Sequence, residues 1–451
     1  MRINELTLEN YKGFENETFY FNPGFNVVIG KNATGKTSLL DALSIAVSAY
    51  IAGINGIGRP KIIEEGEIRT VTIDGQPKPQ IPVKILPNIL LHGKNLNAYF
   101  DVSRIVYNSL LPDGVKNSSL IRGQNIDEII REAEEDLRKS RTIGQRTNFP
   151  LIAYYQTGRL WKHRGEIGYH KQQEGVFYGY NGCLNASASS FFFLSWYRTY
   201  EKEIERFEKD EDKLLLTIFR QAISSVIPGW NNMAYSEKDG DLMGVFTDEN
   251  GKNNTLPFSN LSDGYKSMIG MVADMAYRCI QLNPGLKENV IKETEGIVLI
   301  DELDLHLHPE WQRTLVTDLK KTFPKVQFIA TTHSPFIVQS LTKEELISLD
   351  KNAQTGEDPW RKSVEEIAED EMQVSDIPRS NRFREMTEIA KEYYTLVKQN
   401  DGKDSLRNKI NEAKQRLDKL RIFYSDDPAY VAMLETELEK SELNAADSQN
   451  H

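Results

Sequence analysis

The feature that most constrains this chain is the segment at residues 30–37, Gly-Lys-Asn-Ala-Thr-Gly-Lys-Thr, which matches G-x-x-x-x-G-K-[ST] at every fixed position. An apolar run at residues 25–29 precedes it, and leucines at helical spacing follow from Thr37 to about Tyr50. Glycines in such a turn let backbone N–H groups point inward around phosphates, and the helix N-terminus favours their negative charge. The segment therefore predicts a phosphate-binding loop between a strand and a helix.

The roles expected within this loop follow from its chemistry. Lys36 is predicted to reach the β- and γ-phosphates of a nucleotide, and the Thr37 hydroxyl is predicted to bind Mg²⁺. Nine residues form the predicted nucleotide-contacting set: Gly30, Lys31, Asn32, Ala33, Thr34, Gly35, Lys36, Thr37 and Ser38. The alternative, a glycine-containing turn without a ligand, does not explain why both motif and context are satisfied.

A second apolar run, residues 297–300, ends in Asp301 and Glu302. Ligands of α/β sheets bind at the C-terminal ends of strands, so a strand that delivers carboxylates there fits a site beside the loop. We expect Asp301 to hold the metal ion and Glu302 to be the general base that orients an attacking water. An acidic turn after a strand is the alternative, and the phosphate loop upstream argues against it.

Two further segments complete the pattern. His333 follows the apolar run 326–330 in Thr-Thr-His-Ser-Pro, where it is placed to contact the γ-phosphate. Ser262 and Gly264 lie in Leu-Ser-Asp-Gly-Tyr-Lys-Ser, just before a helical pattern, and this helix start is a second surface suited to phosphate. Taken alone, Ser-Asp-Gly is also ordinary turn chemistry.

Composition narrows the class of protein. A chain of 451 residues with 39% apolar residues has room for about two or three domains. The net charge of −11 argues against a protein that coats DNA or anionic membranes through bulk electrostatics. Two cysteines exclude a disulfide framework, no stretch approaches the roughly 18 apolar residues of a membrane helix, and the N-terminus lacks a signal-peptide pattern. These features predict a cytoplasmic protein without a membrane partner.

In their order along the chain, these motifs resemble those of the ATP-binding-cassette ATPases, and in particular the soluble branch that includes the SMC, RecF and OLD-type proteins. The run Asp-Glu-Leu-Asp-Leu-His-Leu-His-Pro at residues 301–309 is typical of bacterial ATPases described as AAA in that branch. The resemblance implies an α/β fold of the ABC-type ATPase head, in which a P-loop sheet is flanked by helices, with a helical insertion and a C-terminal helical domain.

The resemblance also implies roles for individual residues. Ser262 and Gly264 belong to the signature loop, which would touch the γ-phosphate of ATP held by a second protomer, so that a homodimer or higher oligomer sandwiches the nucleotides. Asp304 belongs to the D-loop, His333 is the switch histidine, and Lys12 in the opening Asn-Tyr-Lys-Gly-Phe would lie near nucleotide. Gln156 is a candidate for the Q-loop glutamine.

These expectations divide the chain into four parts. Residues 1–125 form an ATPase lobe with the P-loop, 126–250 a mainly helical insertion, and 251–345 a lobe with the signature, Asp-Glu, D-loop and switch segments. Residues 346–451 form an acidic helical region, which is either a helical bundle packed on its own domain or an appendage that binds a partner, and the two are not exclusive. Its stretch 351–451 carries 16 basic and 22 acidic residues, and its apolar seam comprises Leu406, Ile410, Ala413, Leu417 and Leu420. A further helix is predicted from Asp427-Pro428, and an exposed connection at residues 236–254.

Segments of the last fifth resemble the ATPase subunit of Septu-type anti-phage systems and relatives in retron cassettes. They lie at residues 363–369, 377–380, 383–386, 392–394 and 427–432. This resemblance implies an HNH endonuclease partner that the chain regulates through ATP binding and hydrolysis, with DNA only as the target of the complex. No Glu-Gly pair follows His333, whereas OLD-type nucleases carry one, so we expect an ATPase without a nuclease site.

Three alternatives stay open at this point. One is a RecF- or SMC-like repair ATPase that binds DNA through local basic runs at residues 138–141 and 162–164. Another is a retron-associated defence ATPase, and the third is a scaffold in which ATP is hydrolysed too slowly to matter.

Overall fold

In the computed structural model the chain forms two compact units, Met1–Val374 and Ser375–His451. The structure describes the following residues: 1–54, 59–108, 117–140, 148–159, 176–185, 189–207, 210–227, 229–247, 251–350, 356–374, 388–389, 392–393, 395–396 and 404–421.

A parallel sheet lies at the centre of the first unit. In the described residues its strands are β3 (Phe25–Ile29), β10 (Leu151–Tyr155), β14 (Gly296–Ile300), β15 (Val326–Thr331) and β16 (Leu346–Ser348). Their order is β10-β14-β15-β3-β16. The first four are buried along their whole length, as nearly continuous apolar runs predict for parallel strands covered on both faces. This order brings the ends of β3, β14 and β15 side by side.

An antiparallel sheet packs on one side of this centre. Its strands are β1 (Arg2–Tyr11), β2 (Phe14–Tyr20), β6 (Val83–Leu91), β7 (Lys94–Asn97), β8 (Tyr99–Asn108) and β9 (Asn117–Asn125). The order is β2-β1-β6-β8-β9, with β7 on β6. A separate hairpin joins β4 (Thr70–Ile73) to β5 (Gln76–Pro79).

Helix α1 (Lys36–Ala52) contacts strands of both sheets, β6 on one side and β14 and β15 on the other. It is buried almost all round, which is why its sequence is apolar on more than one face. Ser44 and Ser48 are tolerated in this environment because their hydroxyls donate to the carbonyl oxygens of Asp41 and Ile45. Helix α2 (Asp127–Ser140) packs against α1.

Helices cover the opposite face of the central sheet. They are α3 (Ser189–Phe207), α4 (Asp210–Val226), α5 (Asp263–Leu282), α6 (Val290–Glu293), α7 (Pro309–Thr322) and α8 (Pro335–Val338). A small antiparallel sheet of β11 (Trp230–Ser236), β12 (Asp241–Thr247) and β13 (Asn253–Pro257) extends this layer. The short helix α9 (Val364–Glu366) lies near the end of the unit.

The strands and helices around the predicted motifs are confirmed, but three segments differ from expectation. Residues 126–250 include β10, which is an edge strand of the central sheet in the described part of the chain, because this short apolar run pairs with β14, a strand far away in the sequence. The polar stretch 236–254 contains β12, which pairs on both sides instead of forming an exposed connection. The first unit extends to Val374 rather than ending near residue 345, since Ile367 is buried in the same core.

In the second unit, helix α10 (Asp404–Arg421) confirms the helix predicted from the apolar seam. Two residues of that seam, Ala413 and Leu417, are buried. The helix predicted from Asp427 lies outside the described residues. In the described part of the chain, no helix combines the length and the apolar character that crossing a membrane requires.

Candidate functional site

The loop at residues 30–37 connects β3 to α1 and has a backbone that only certain residues permit. Gly35 has φ of 105°, in the left-handed region, and a Cβ there would come within 2.7 Å of the Phe14 ring. Lys36 is 8% exposed, and its ammonium donates to the carbonyl oxygens of Gly30 at 2.7 Å and Lys31 at 3.0 Å. The backbone of the loop thus surrounds the lysine that is predicted from the sequence to bind phosphate.

Asp301 lies at the C-terminal end of β14, facing the first turn of α1. Its Oδ2 accepts a hydrogen bond from Thr37 Oγ1 at 3.0 Å, and its Oδ1 accepts one from Thr331 Oγ1 at 2.7 Å. The two predicted metal ligands, 264 residues apart in sequence, are therefore in direct contact. A hydroxyl and a carboxylate are donors that suit Mg²⁺, which also takes phosphate oxygens and water.

Glu302 is positioned by the neighbouring strand. Its backbone N–H donates to Thr331 Oγ1 at 2.7 Å, so the Thr331 hydroxyl links the backbone of Glu302 to the carboxylate of Asp301. Glu302 itself has a φ of 50°, an uncommon conformation for a residue that is not glycine. Sequence reasoning missed Thr331, because nothing in a strand-terminal threonine indicates which carboxylate it will face.

The D-loop and the switch histidine meet at the same edge of the sheet. Asp304 Oδ1 accepts a hydrogen bond from Thr332 Oγ1 at 2.6 Å and one from the backbone N–H of His333 at 3.2 Å. Asp304 therefore orients the segment that presents His333, whose side chain is exposed at the cleft.

These groups surround a cleft of about 350 Å³. It is lined by Asn32, Ala33, Gly35, Lys36, Thr37, Ser38, Asp301, Glu302, Thr331 and His333. Burial lowers the pKa of the Lys36 ammonium, while the carboxylates of Asp350, Asp301 and Glu302 act in the opposite direction. The cleft thus brings a buried cation, a hydroxyl and two carboxylates together, as phosphoryl chemistry requires.

The signature loop lies elsewhere on the surface. Ser262 is exposed and precedes the first residue of α5, while Gly264 is buried. A Cβ at Gly264 would come within 2.3 Å of the carbonyl oxygen of His306, so glycine is required for this close approach to the D-loop segment. Neither residue lines the cleft of its own chain.

Lys12 is also outside the cleft lining. Its ammonium forms ion pairs with Asp41 Oδ2 on α1 at 2.7 Å and with Glu67 Oε1 at 3.3 Å. Burial lowers the pKa of this ammonium, but hydrogen bonding to Asp41 and the charge of both carboxylates raise it overall. Lys12 is thus held against the helix that follows the phosphate loop.

A carboxylate that sequence reasoning missed supports the start of the loop. Asp350 follows β16, and its Oδ2 accepts a hydrogen bond from the backbone N–H of Lys31 at 3.1 Å. The only sequence signal is an acidic residue after a short apolar run, and its position depends on the pairing of β16 with β3.

The basic run at 138–141 is partly neutralised in the described residues. Arg138 donates to both carboxylate oxygens of Glu135, at 2.7 and 2.8 Å, and Lys139 lies 3.6 Å from the same carboxylate. The run at residues 162–164 lies outside the described residues.

In the central sheet, the phosphate loop follows β3, the histidine follows the neighbouring strand β15, and the Asp-Glu pair follows the next strand, β14. This arrangement defines an ABC-type P-loop ATPase. The family comparison agrees: the family model described as "AAA domain, putative AbiEii toxin, Type IV TA system" matches residues 25–339, and a second AAA-domain model matches residues 1–47. The chain belongs to this family of AAA-domain ATPases.

Individual relatives cover most of the chain. It is 27% identical to "Retron Vc95 probable ATPase" of Vibrio cholerae serotype O1 biovar El Tor, over 92% of this chain and 86% of the relative. It is 26% identical to "Septu protein PtuA" of Bacillus thuringiensis, over 92% of this chain and 93% of the relative. Among solved structures, the SMC head domain from Thermotoga maritima aligns with a TM-score of 0.40 at 14% identity, over 77% of this chain and 94% of that one.

Proposed function

We propose that this chain is the regulatory ATPase subunit of an anti-phage defence complex, in which nucleotide-dependent dimerisation controls a partner HNH endonuclease. The observation that carries the proposal is the convergence of Lys36, Thr37, Asp301 and Glu302 on one cleft, together with a signature loop that does not line it. The names of the Septu and retron relatives support the defence context.

Each residue of the cleft has a defined task in this proposal. The loop amides and Lys36 hold the phosphates of ATP, and the contact of Thr37 with Asp301 supplies oxygen ligands for Mg²⁺. The metal ion neutralises charge on the phosphates when it is bound. Glu302 accepts a proton from the attacking water, and His333, exposed at the mouth of the cleft, contacts the transferred phosphoryl group.

A second copy of the chain completes the site. Ser262 is exposed at the start of α5, where helix N–H groups favour an anion. Because Gly264 packs against the backbone of His306, the signature loop and the D-loop of one protomer form a continuous surface. In the dimer this surface faces the ATP bound to the phosphate loop of the other protomer.

Cutting of DNA belongs to the partner in this proposal, and the acidic region beyond residue 350 is its docking surface. Residues 351–451 carry a net charge of −6, of which −4 lies in residues 351–374 of the first unit and −2 in residues 375–451, and this charge favours a basic surface on the partner. ATP binding closes the dimer, and hydrolysis changes how the nuclease is held.

The test begins with the genes that neighbour the one encoding this chain, among which the proposal requires an HNH endonuclease; the chain is expressed with that protein and the complex is purified. Nuclease activity is measured with ATP, without nucleotide, and in the Lys36→Ala and Glu302→Gln variants. Lys325→Ala is the matched control, because Lys325 is a half-exposed lysine that precedes β15, at the end of that strand away from Thr331. We expect ATP to change nuclease activity severalfold in the wild type and the control but not in Lys36→Ala.

Nuclease activity that changes neither on addition of ATP nor in the Lys36→Ala variant would contradict the regulatory role. ATPase activity stimulated by DNA in the isolated chain, with salt-dependent binding, would favour a repair ATPase instead. Full regulation in Glu302→Gln would favour a scaffold in which hydrolysis has no part.

A further inference from the structure

The signature helix α5 contains a buried ion pair that the nucleotide chemistry does not use. Asp274 and Arg278, one helical turn apart, are both 0% exposed, and Arg278 Nε donates to Asp274 Oδ2 at 2.7 Å. Burial lowers the pKa of the guanidinium, but the Asp274 carboxylate outweighs it and raises that pKa, so Arg278 stays charged. A buried ion pair adds little stability over apolar side chains of equal volume, so its presence points to a role in positioning.

The partners of this pair lie outside α5. The Tyr155 hydroxyl donates to Asp274 Oδ2 at 2.7 Å, and Arg278 Nη1 donates to the carbonyl oxygens of Gly179 at 2.7 Å and Asn181 at 3.1 Å. Tyr155 is the last residue of β10, at the end of the sheet where the cleft lies. Its own carbonyl oxygen accepts a hydrogen bond from the backbone N–H of Asp301 at 2.8 Å. One residue therefore contacts both the signature helix and the metal-binding strand.

The preceding residue makes the equivalent contact on the other face. Successive side chains of a strand point in opposite directions, so Tyr154 faces α1 while Tyr155 faces α5. The Tyr154 hydroxyl donates to Asp41 Oδ1 at 2.9 Å, and the other oxygen of Asp41 holds Lys12. Asp41 lies one turn after Thr37 on the helix that begins at the phosphate loop.

Two atoms of the ion pair retain bonding capacity. Among the described residues, Asp274 Oδ1 and Arg278 Nη2 are buried without a hydrogen-bond partner. Buried polar atoms of this kind are costly and call for an explanation. The place of α5 against its neighbours therefore depends on the bonds that the pair does make, to the Tyr155 hydroxyl and to the carbonyl oxygens of Gly179 and Asn181.

We propose that β10 is a connecting strand that couples the nucleotide cleft to the signature helix, with Tyr155 as the positioning residue towards Asp274 on α5 and Tyr154 as the positioning residue towards Asp41 on α1. The proposal rests on the proposed function in one respect: the start of α5 is taken to act on ATP held by a second protomer. Under this coupling, Tyr155 affects how the signature loop is presented, whereas Tyr154 affects how ATP is held.

The experiment compares three tyrosine-to-phenylalanine variants of the full chain, each of which removes only a hydroxyl. Tyr155→Phe is expected to lower the ATPase kcat about tenfold with the ATP KM within about twofold of the wild type. Tyr154→Phe is expected to raise the KM about three- to tenfold with little change in kcat. Tyr197→Phe is the control, because its buried hydroxyl donates at 2.7 Å to the carbonyl oxygen of Met233, outside the cleft lining.

A second measurement does not depend on turnover. Amide hydrogen exchange of residues 263–282 is followed with and without Mg-ATP. We expect ATP to slow exchange in this helix in the wild type and in Tyr197→Phe, and to have no such effect in Tyr155→Phe. The coupling would be overturned if ATP leaves the exchange rate of this helix unchanged in the wild type, or if ATP still slows that exchange in Tyr155→Phe.

The two ideas fail in different ways. If Tyr155→Phe and Tyr197→Phe have the same kcat while the wild type hydrolyses ATP and regulates the nuclease, the coupling is wrong and the proposed function stands. If exchange in α5 responds to ATP through Tyr155 but nuclease activity ignores ATP, the coupling stands and the regulatory function is wrong.

Discussion

The phosphate loop and the signature loop are both helix starts that present backbone N–H groups, yet their surroundings differ. The phosphate loop lies in a cleft where Asp301, Thr331 and His333 converge from neighbouring strands. The signature loop has an exposed Ser262, and behind it Gly264 packs against the carbonyl oxygen of His306. The phosphate loop is surrounded by polar groups of its own chain. The signature loop is packed on its inner side only, and the proposed function assigns its exposed outer face to a second protomer.

The variant with the largest expected effect tests the phosphate loop and its cleft. Lys36→Ala removes the buried ammonium that the loop surrounds, and we expect ATP affinity to fall about a hundredfold or more because a charged phosphate contact is lost. Equilibrium titration with a fluorescent ATP analogue measures the Kd. Ser262→Ala is the comparison variant, expected to keep the Kd within about threefold; equal losses in both variants would contradict the distinction between the two loops.

Glu302→Gln is expected to have an effect of comparable size, on turnover instead of on ATP affinity. Removal of the proposed general base should lower kcat by about 10²- to 10³-fold while the Kd for ATP changes little. Steady-state hydrolysis and nucleotide titration separate the two quantities. A kcat close to that of the wild type would show that another group activates the water.

Mixing variants tests whether the outer face of the signature loop serves a partner. Lys36→Ala and Ser262→Ala are each expected to hydrolyse ATP at least about tenfold more slowly than the wild type. In a heterodimer, the intact phosphate loop of one chain meets the intact signature loop of the other, so an equal mixture should recover roughly a quarter of wild-type activity. Activity that stays at the average of the two variants would place both loops in one chain's own site.

Gly264→Ala tests the inner side of the signature loop. The added Cβ would lie 2.3 Å from the carbonyl oxygen of His306, so the helix start and the D-loop segment have to separate. Such overpacking costs about 1–3 kcal/mol of unfolding free energy. We expect a lower denaturation midpoint and a severalfold lower kcat, with ATP affinity retained. An unchanged midpoint in urea would show that the contact is not tight in solution.

The smallest effect concerns pH. Burial lowers the pKa of Lys36, so its charge and its hold on phosphate are lost at a lower pH than for an ordinary lysine. The ATP KM should rise at alkaline pH, and Lys36→Arg should remove that rise because arginine stays protonated. The free energy of unfolding depends on pH in the opposite direction. Because the pKa of Lys36 is lower in the folded than in the unfolded chain, the unfolded chain keeps this proton to higher pH. The contribution of Lys36 to stability therefore increases as the pH rises from the folded-state pKa to the unfolded-state pKa.

Much of the fold was predictable where the signal is local. The strands at 25–29, 296–300 and 326–331 read as apolar runs, and the helix in the second unit follows its seam. β10 was missed as a sheet strand, because five apolar and aromatic residues do not reveal which strand they pair with. β12 was missed because polar, glycine-containing segments resemble loops until both neighbours are in place.

The sequence by itself determined which residues are candidates for the chemistry of this protein. The loop with Lys36 and Thr37, and the carboxylates of Asp301 and Glu302, are each predicted from residue types at short spacing. Only the tertiary structure decided which groups support them. Thr331 on Asp301, Asp350 on the loop and Tyr155 between Asp274 and Asp301 all depend on contacts between segments far apart in sequence. Local sequence patterns predict the secondary structure of a segment, but the order of strands in the sheet determines which segments come into contact.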